Sequence, residues 1–127
     1  MGLDMFAYKA QNFQPSKPVD FQDEINETTS EIEEFFYWRK HPDLHGLMKE
    51  IYIEKGGEDE FNCRPVQLTA EDLERIGLAV IDEELPETSG FFFGESSDEH
   101  RKRDLEFLTE AKRYLDEGYT IWYDSWW

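Results

Sequence analysis

Phe35-Phe36-Tyr37-Trp38-Arg39-Lys40-His41-Pro42-Asp43-Leu44-His45 is the stretch on which the reading of this chain turns. Four aromatic rings end on a cationic pair, and a helix start follows directly. Pro42 suits a first helical turn, where its missing N–H is not needed, and Asp43 complements the helix dipole. Leu44, Leu47, Met48 and Ile51 then recur at i, i+3, i+4 and i+7, an apolar stripe that needs a sheet to bury against, and Gly56-Gly57 ends the helix. Upstream, Ile32, Phe35, Phe36, Tyr37 and Trp38 in the segment 31–38 fit either a strand or the end of a short helix.

Working outward, Leu3 to Ala10 reads as a strand with Leu3, Met5 and Ala7 on one face and Asp4, Phe6 and Tyr8 on the other. Residues 11–30 hold Pro15, Pro18, Asn12 and Asn26 without a period and read as a long connection. Arg64 to Leu68 reads as a short strand leading to Thr69, whose capping partner is Asp72. Leu73, Ile76 and Val80 keep helical spacing, while Gly77 and the apolar run Leu78 to Ile81 leave helix and strand open. Leu85-Pro86 opens a loop whose three consecutive phenylalanines, Phe91 to Phe93, cannot all face one way. Ser96 with Glu99 is a second capping pair, opening a helix from about Asp98 to Glu117 with Phe107, Leu108, Ala111, Tyr114 and Leu115 as its stripe and Gly118 as its cap. Tyr119 to Trp127 reads as a last strand, and its two final tryptophans are expected to tuck into the body. The expectation is one α+β domain over residues 1–127, a small mixed or antiparallel sheet packed against two to three helices.

Composition bounds the function. The chain has 127 residues, 39% of them hydrophobic, 16% aromatic and 34% charged, which describes a folded domain with a heavily charged surface. Its net charge of -17 is spread over the whole length rather than gathered in a tail. Such a field repels nucleic acid and anionic lipid, so direct binding to either is not expected. A single cysteine, Cys63, excludes an internal disulfide and is expected as a small buried or half-buried thiol. No targeting segment or membrane-length apolar run is visible, and a cytoplasmic location is expected.

Several side chains are candidates for a site. His41 and His45 stand four apart, a spacing that offers two imidazoles to a metal if the turn is helical. Pro42 and Asp43 fill the places where a zincin helix needs its glutamate, so capping or surface roles compete with that reading and no cofactor is expected. Arg39 beside Trp38 is a guanidinium placed to lie against ring faces, either paired internally with Asp4 or Asp124 or lining a small anion pocket. Ser89 lies in the aromatic loop without a glycine-serine-glycine elbow, and a structural role there competes with an anion-binding turn. No residue is singled out as catalytic. The carboxylates over 20–34 and 82–87 are candidate surfaces for mimicry of a nucleic acid.

Met1-Gly2-Leu3-Asp4-Met5, Tyr37-Trp38-Arg39-Lys40 followed by His45, Ser89-Gly90-Phe91-Phe92-Phe93-Gly94 and the ending Ser125-Trp126 give the chain a resemblance that spans nearly its whole length. Together they resemble a family of small phage and bacterial proteins of uncharacterised activity. Where that family tends to carry an asparagine, this chain has His41-Pro42-Asp43. The resemblance implies a phage or mobile-element setting and marks Asp4, Arg39, His45, Ser89 and Ser125, which meet in one pocket only if the first and last strands are neighbours. Two functions follow as expectations. One is a binding protein that engages a host or defence-system component through an acidic and aromatic surface; the other is a small enzyme or anion binder centred on Arg39, His45 and Asp4. The oligomeric state is not read from the sequence.

Overall fold

The strand at the start of the chain has two usable faces, and the rest of the fold is laid against both. In the computed structural model, which describes residues 2–90 and 93–127, β1 (Asp4–Ala10) is followed by α1 (Gln22–Glu27), β2 (Ile32–Arg39), α2 (Pro42–Glu54), β3 (Val66–Leu68), α3 (Ala70–Ile81), α4 (Asp98–Asp116) and β4 (Thr120–Trp126). The strands form an antiparallel sheet in the order β2-β1-β4-β3. This is the α+β class the sequence suggests, with the sheet wholly antiparallel. Among the described residues four helices accompany it, against the two to three expected.

Alternation along β1 sends Leu3, Met5 and Ala7 into the main core and leaves Asp4, Phe6 and Tyr8 on the opposite face. The buried side is covered by the apolar stripes of α2, α3 and α4, which meet the strands in one continuous core. A bulge in β2 adapts the sheet edge to α4. Ala7 lies opposite Phe36 and Tyr8 opposite Glu34, so Phe35 is an extra residue. Its ring and that of Phe36 both reach Phe107, at centroid distances of 6.0 and 5.6 Å. Two adjacent aromatic residues thereby face one core, which simple alternation forbids.

The long connection over 11–30 is more structured than its composition indicates. It carries α1, and Val19 bridges Val66 at the β3 edge. Phe13 and Phe21 pack with Ala10 and Trp122 on the outer face of the sheet as a second, smaller core. The segment's periodicity is weak because it buries isolated rings against Trp122 rather than a whole helical stripe.

α2 starts at Pro42 and buries Leu44, Leu47, Met48 and Ile51 as expected. After Lys55, Gly56 adopts φ of +107°, a turn that glycine makes without strain, and Gly118 does the same after α4 at +92°. α3 is opened by the Thr69–Asp72 capping box and runs without a break to Ile81, so the ambiguous half is helix. The box at α4 is formed by Ser97 and His100, one residue later than the expected Ser96–Glu99 pair. Ser96 is engaged elsewhere: its Oγ accepts the Asp43 N–H at 3.1 Å and so caps α2 across the fold. At the end of β4 the two tryptophans part company. Trp127 is held by Asn62 and donates its Nε1–H to the Phe61 carbonyl at 2.9 Å, whereas Trp126 remains 66% exposed, because alternation turns it to the uncovered face.

Phe107 is fully buried where Phe35, Phe36 and Trp38 converge. Phe107→Ala is expected to lower the free energy of unfolding by roughly 3–5 kcal/mol, the cost of deleting a large buried ring and leaving a cavity. Urea denaturation measures this, and a loss below about 1 kcal/mol contradicts the packing described.

Candidate functional site

β1 and β4 are indeed neighbours, with Met5 opposite Ser125 and Asp4 opposite Trp126. That pairing does not gather the marked residues into one pocket, because alternation divides them. Asp4 and Arg39 are register partners on the open face of the sheet, whereas Ser125 and His45 lie on the helical side, against the core. Ser89 is exposed at a shallow cleft beside the start of α2, with Asp43 and Ser96. Trp38 is buried and points toward α4.

The open face is the first of two chemically dense regions. Reading across the strands, Arg39, Asp4 and Trp126 form one row, and Tyr37, Phe6 and Asp124 form the next. Phe6 lies 5.4 Å from Tyr37 and 6.0 Å from Tyr8 by ring centroids. Tyr8 continues onto Trp122 at 5.9 Å, where the second core begins. The Tyr37 hydroxyl donates to the Asp4 carboxylate, and this bond, with burial second, raises its pKa. The Asp4 carboxylate is thus engaged by Tyr37, not by its register partner Arg39. The Arg39 side chain is exposed, and among the described residues it forms no ion pair, so the expected internal pairing with Asp4 or Asp124 is absent. Asp124 sits amid these rings, and burial pushes its pKa up to about 6 despite the Ser125 N–H that it accepts at 2.8 Å. Burial, with Asp124 second, pushes the Tyr8 hydroxyl up to about 12.

On the helical side, the two histidines that shared a metal-like spacing have separate partners. His41 precedes the helix as its N-cap, outside the helical conformation at φ of −113°. His45 Nδ1 lies 2.7 Å from the Tyr123 hydroxyl, and its ring stacks on Phe61 at 5.1 Å. Phe93 and Trp127 close over its edges, while Phe91 and Phe92 fall outside the described residues. This apolar enclosure lowers the His45 pKa to about 4, with Lys49 a second cause. Ser125 is buried nearby on β4, and its Oγ has no partner among the described residues. Among those residues no group of three or more His, Cys, Asp or Glu side chains is arranged to hold a metal. Cys63 is exposed rather than buried or half-buried, although partial desolvation of its thiol, with Asp124 second, raises its pKa.

The second dense region joins Trp38 and His41, both marked in the sequence, to Ser96 and Asp104, which were not marked as site residues. Asp104 on α4 is completely buried and accepts from Trp38 Nε1 at 3.0 Å and faces His41 Nε2 at 2.7 Å. His41 Nδ1 lies 2.7 Å from Ser96 Oγ. The His41 ring also stacks on His100, 4.3 Å between centroids and nearly parallel. His100 bridges the Ser97 N–H and the Arg39 carbonyl, and burial, then the neighbouring His41, lowers its pKa. No local pattern ties Ser96, His41 and Asp104 together, because 55 and 63 positions separate His41 from the other two. Beyond His41 and Trp38, the legible signal was an acidic residue, Asp104, on the edge of an apolar helical stripe.

No family model matches the chain, and neither a curated protein nor a solved structure matches it.

The buried imidazole gives a pH dependence with a defined sign. Unfolded, His45 takes up a proton near 6.5; folded, it does so only near 4, so its contribution to stability is complete above 6.5 and lost as pH falls through that window. Asp124 acts the other way, since its pKa rises from 3.8 to about 6 and acidification through that range favours the fold. The two slopes oppose, and a difference measurement separates them. His45→Phe is expected to gain on the parent by roughly 3 kcal/mol between pH 7 and pH 4 in urea denaturation. A difference that does not change with pH contradicts a neutral buried His45.

Proposed function

We propose that the chain is a binding protein whose open sheet face receives a basic segment of a partner protein. The observation that carries the reading is the juxtaposition on that face of Phe6, Tyr8, Tyr37 and the exposed Trp126 with the carboxylates of Asp4 and Asp124. Ring faces attract ammonium and guanidinium groups, by about 0.5–2 kcal/mol each as desolvation increases. Carboxylates set between the rings supply the fixed charge that orients such a cation. Aromatic rings on an open antiparallel sheet also suit the stacking of nucleic-acid bases, but a net charge of -17 opposes that ligand at every distance. The same charge steers a basic protein inward and makes the association salt-sensitive.

The setting is part of the proposal. The phage-type resemblance makes a bacterial host or defence-system protein the partner we favour and the cytoplasm the location. No helix among the described residues is long and apolar enough to cross a membrane. An acidic surface that imitates a nucleic acid toward a nucleic-acid-binding protein is one mechanism by which this binding works. The alternative pocket centred on Arg39, His45 and Asp4 is not favoured, since the sheet lies between its members.

Affinity capture from nuclease-treated bacterial lysate at low and high salt tests the reading, with two variants beside the parent. The parent is expected to retain one stoichiometric basic protein at low salt and release it at high salt. Tyr37→Ser combined with Asp124→Lys is expected to lose it, whereas Glu71→Lys combined with Glu74→Lys, on exposed α3, retains most of it. Equal capture by the open-face variant, or no specific protein under either condition, contradicts the proposal.

A further inference from the structure

Ser96, His41 and Asp104 form a hydrogen-bonded line on the helical side of the sheet, away from the open face. Asp104 as a carboxylate only accepts, and its two oxygens take the Trp38 Nε1–H at 3.0 Å and the His41 Nε2–H at 2.7 Å. In the neutral imidazole that assignment leaves the lone pair of His41 Nδ1 facing Ser96 Oγ at 2.7 Å, and the serine hydroxyl then donates to it. The three members differ in accessibility as their roles require. His41 and Asp104 are buried, whereas Ser96 is half-buried and lines a cleft of about 220 Å³ that also holds Val80, Glu83, Leu85 and Asp98. The Asp43 N–H approaches Ser96 Oγ at 3.1 Å, setting the positive end of α2 beside the hydroxyl.

We infer that Ser96 is a nucleophile activated by His41, and that the cleft hydrolyses small neutral or cationic carboxylic esters. This activity is separate from the binding proposed for the open face. Ser96 Oγ attacks the ester carbonyl carbon while its proton passes to His41 Nδ1. Collapse of the tetrahedral adduct breaks the carbon–oxygen bond of the leaving group, which takes the proton from Nδ1 and departs as the alcohol. Water then attacks the Ser96 ester, giving its proton to Nδ1; the carbon–Oγ bond breaks, the acid leaves, and the proton returns to Oγ. Ester and water become acid and alcohol, and no further reactant is needed. Asp104 and Trp38 are positioning residues that fix the imidazole tautomer and ring plane.

The substrate class follows from the walls of the cleft. Val80 and Leu85 offer apolar contact for a short acyl group, and Asp43, Glu83 and Asp98 bring negative charge. The one cationic lining residue, Arg101, directs its guanidinium to the carbonyls of Val80 and Ile81 at 3.3 and 3.2 Å. An anionic ester therefore meets net repulsion.

The test uses the full chain with a fluorophosphonate probe and, separately, with p-nitrophenyl acetate. The probe is expected to add to the peptide containing Ser96, located by mass spectrometry, and the ester to be hydrolysed above the rate of buffer and of heat-denatured protein. Ser96→Ala leaves the Trp38–Asp104–His41 contacts in place and is expected to abolish both signals with an unchanged near-UV spectrum. His41→Gln is expected to lower hydrolysis on the order of 100-fold, the loss of a general base. Folded parent protein that takes no adduct at Ser96, or hydrolysis that persists in Ser96→Ala, overturns the inference, and the line is then a structural brace alone.

Discussion

A carboxylate with no exposed surface organises the helical side of this fold. Asp104 lies on α4 facing the core, where an unpaired ionised group is prohibitively costly to bury. Trp38 from β2 and His41 from the start of α2 satisfy it, and in doing so they fix how α4 sits on the sheet edge. The effect continues outward: His41 holds Ser96, and Ser96 caps the first turn of α2. Removing the carboxylate would leave a buried indole N–H and an imidazole N–H without partners, a larger loss than the bonds themselves are worth. The aromatic residues around Phe107 pack beside these polar contacts, since Trp38 belongs to both.

The sheet then acts as a partition. One face is wholly committed to the core and carries the buried polar line at its edge. Among the described residues the other is covered where Phe13 and Phe21 reach Trp122, and it leaves Tyr37 and Trp126 exposed and Phe6, Asp4 and Asp124 half-buried in an aromatic and acidic surface. Under the binding reading proposed above, the net charge of -17 favours a cationic protein segment on this surface over an anion.

Much of the architecture was legible because it rests on local patterns. The alternation of β1, the i, i+3, i+4, i+7 stripe of α2, the Thr69–Asp72 box and Gly118 after α4 each state their structure within a few residues. What escaped depends on contacts between distant segments. α1 and the outer core exist because Trp122 offers Phe13 and Phe21 a surface, and nothing near residues 11–30 announces it. The bulge that turns Phe35 and Phe36 to the same side is invisible to any period-two reading. Ser96 looked like the cap of α4 because it precedes that helix, yet its hydroxyl serves α2 and His41, and Ser97 takes its place. Asp4, Arg39, His45 and Ser125 were all marked, but placing them on opposite faces requires the register of three strands, which the sequence does not state.

The most direct measurement of the binding account is a titration of isotopically labelled protein with a short oligoarginine peptide, followed by amide chemical shifts. The account predicts salt-sensitive perturbations confined to β1, β2 and β4 around Phe6, Tyr8, Tyr37, Asp124 and Trp126. Perturbations centred instead on the acidic groove between α2 and α3, lined by Glu50, Glu71, Glu74 and Asp82, would contradict it.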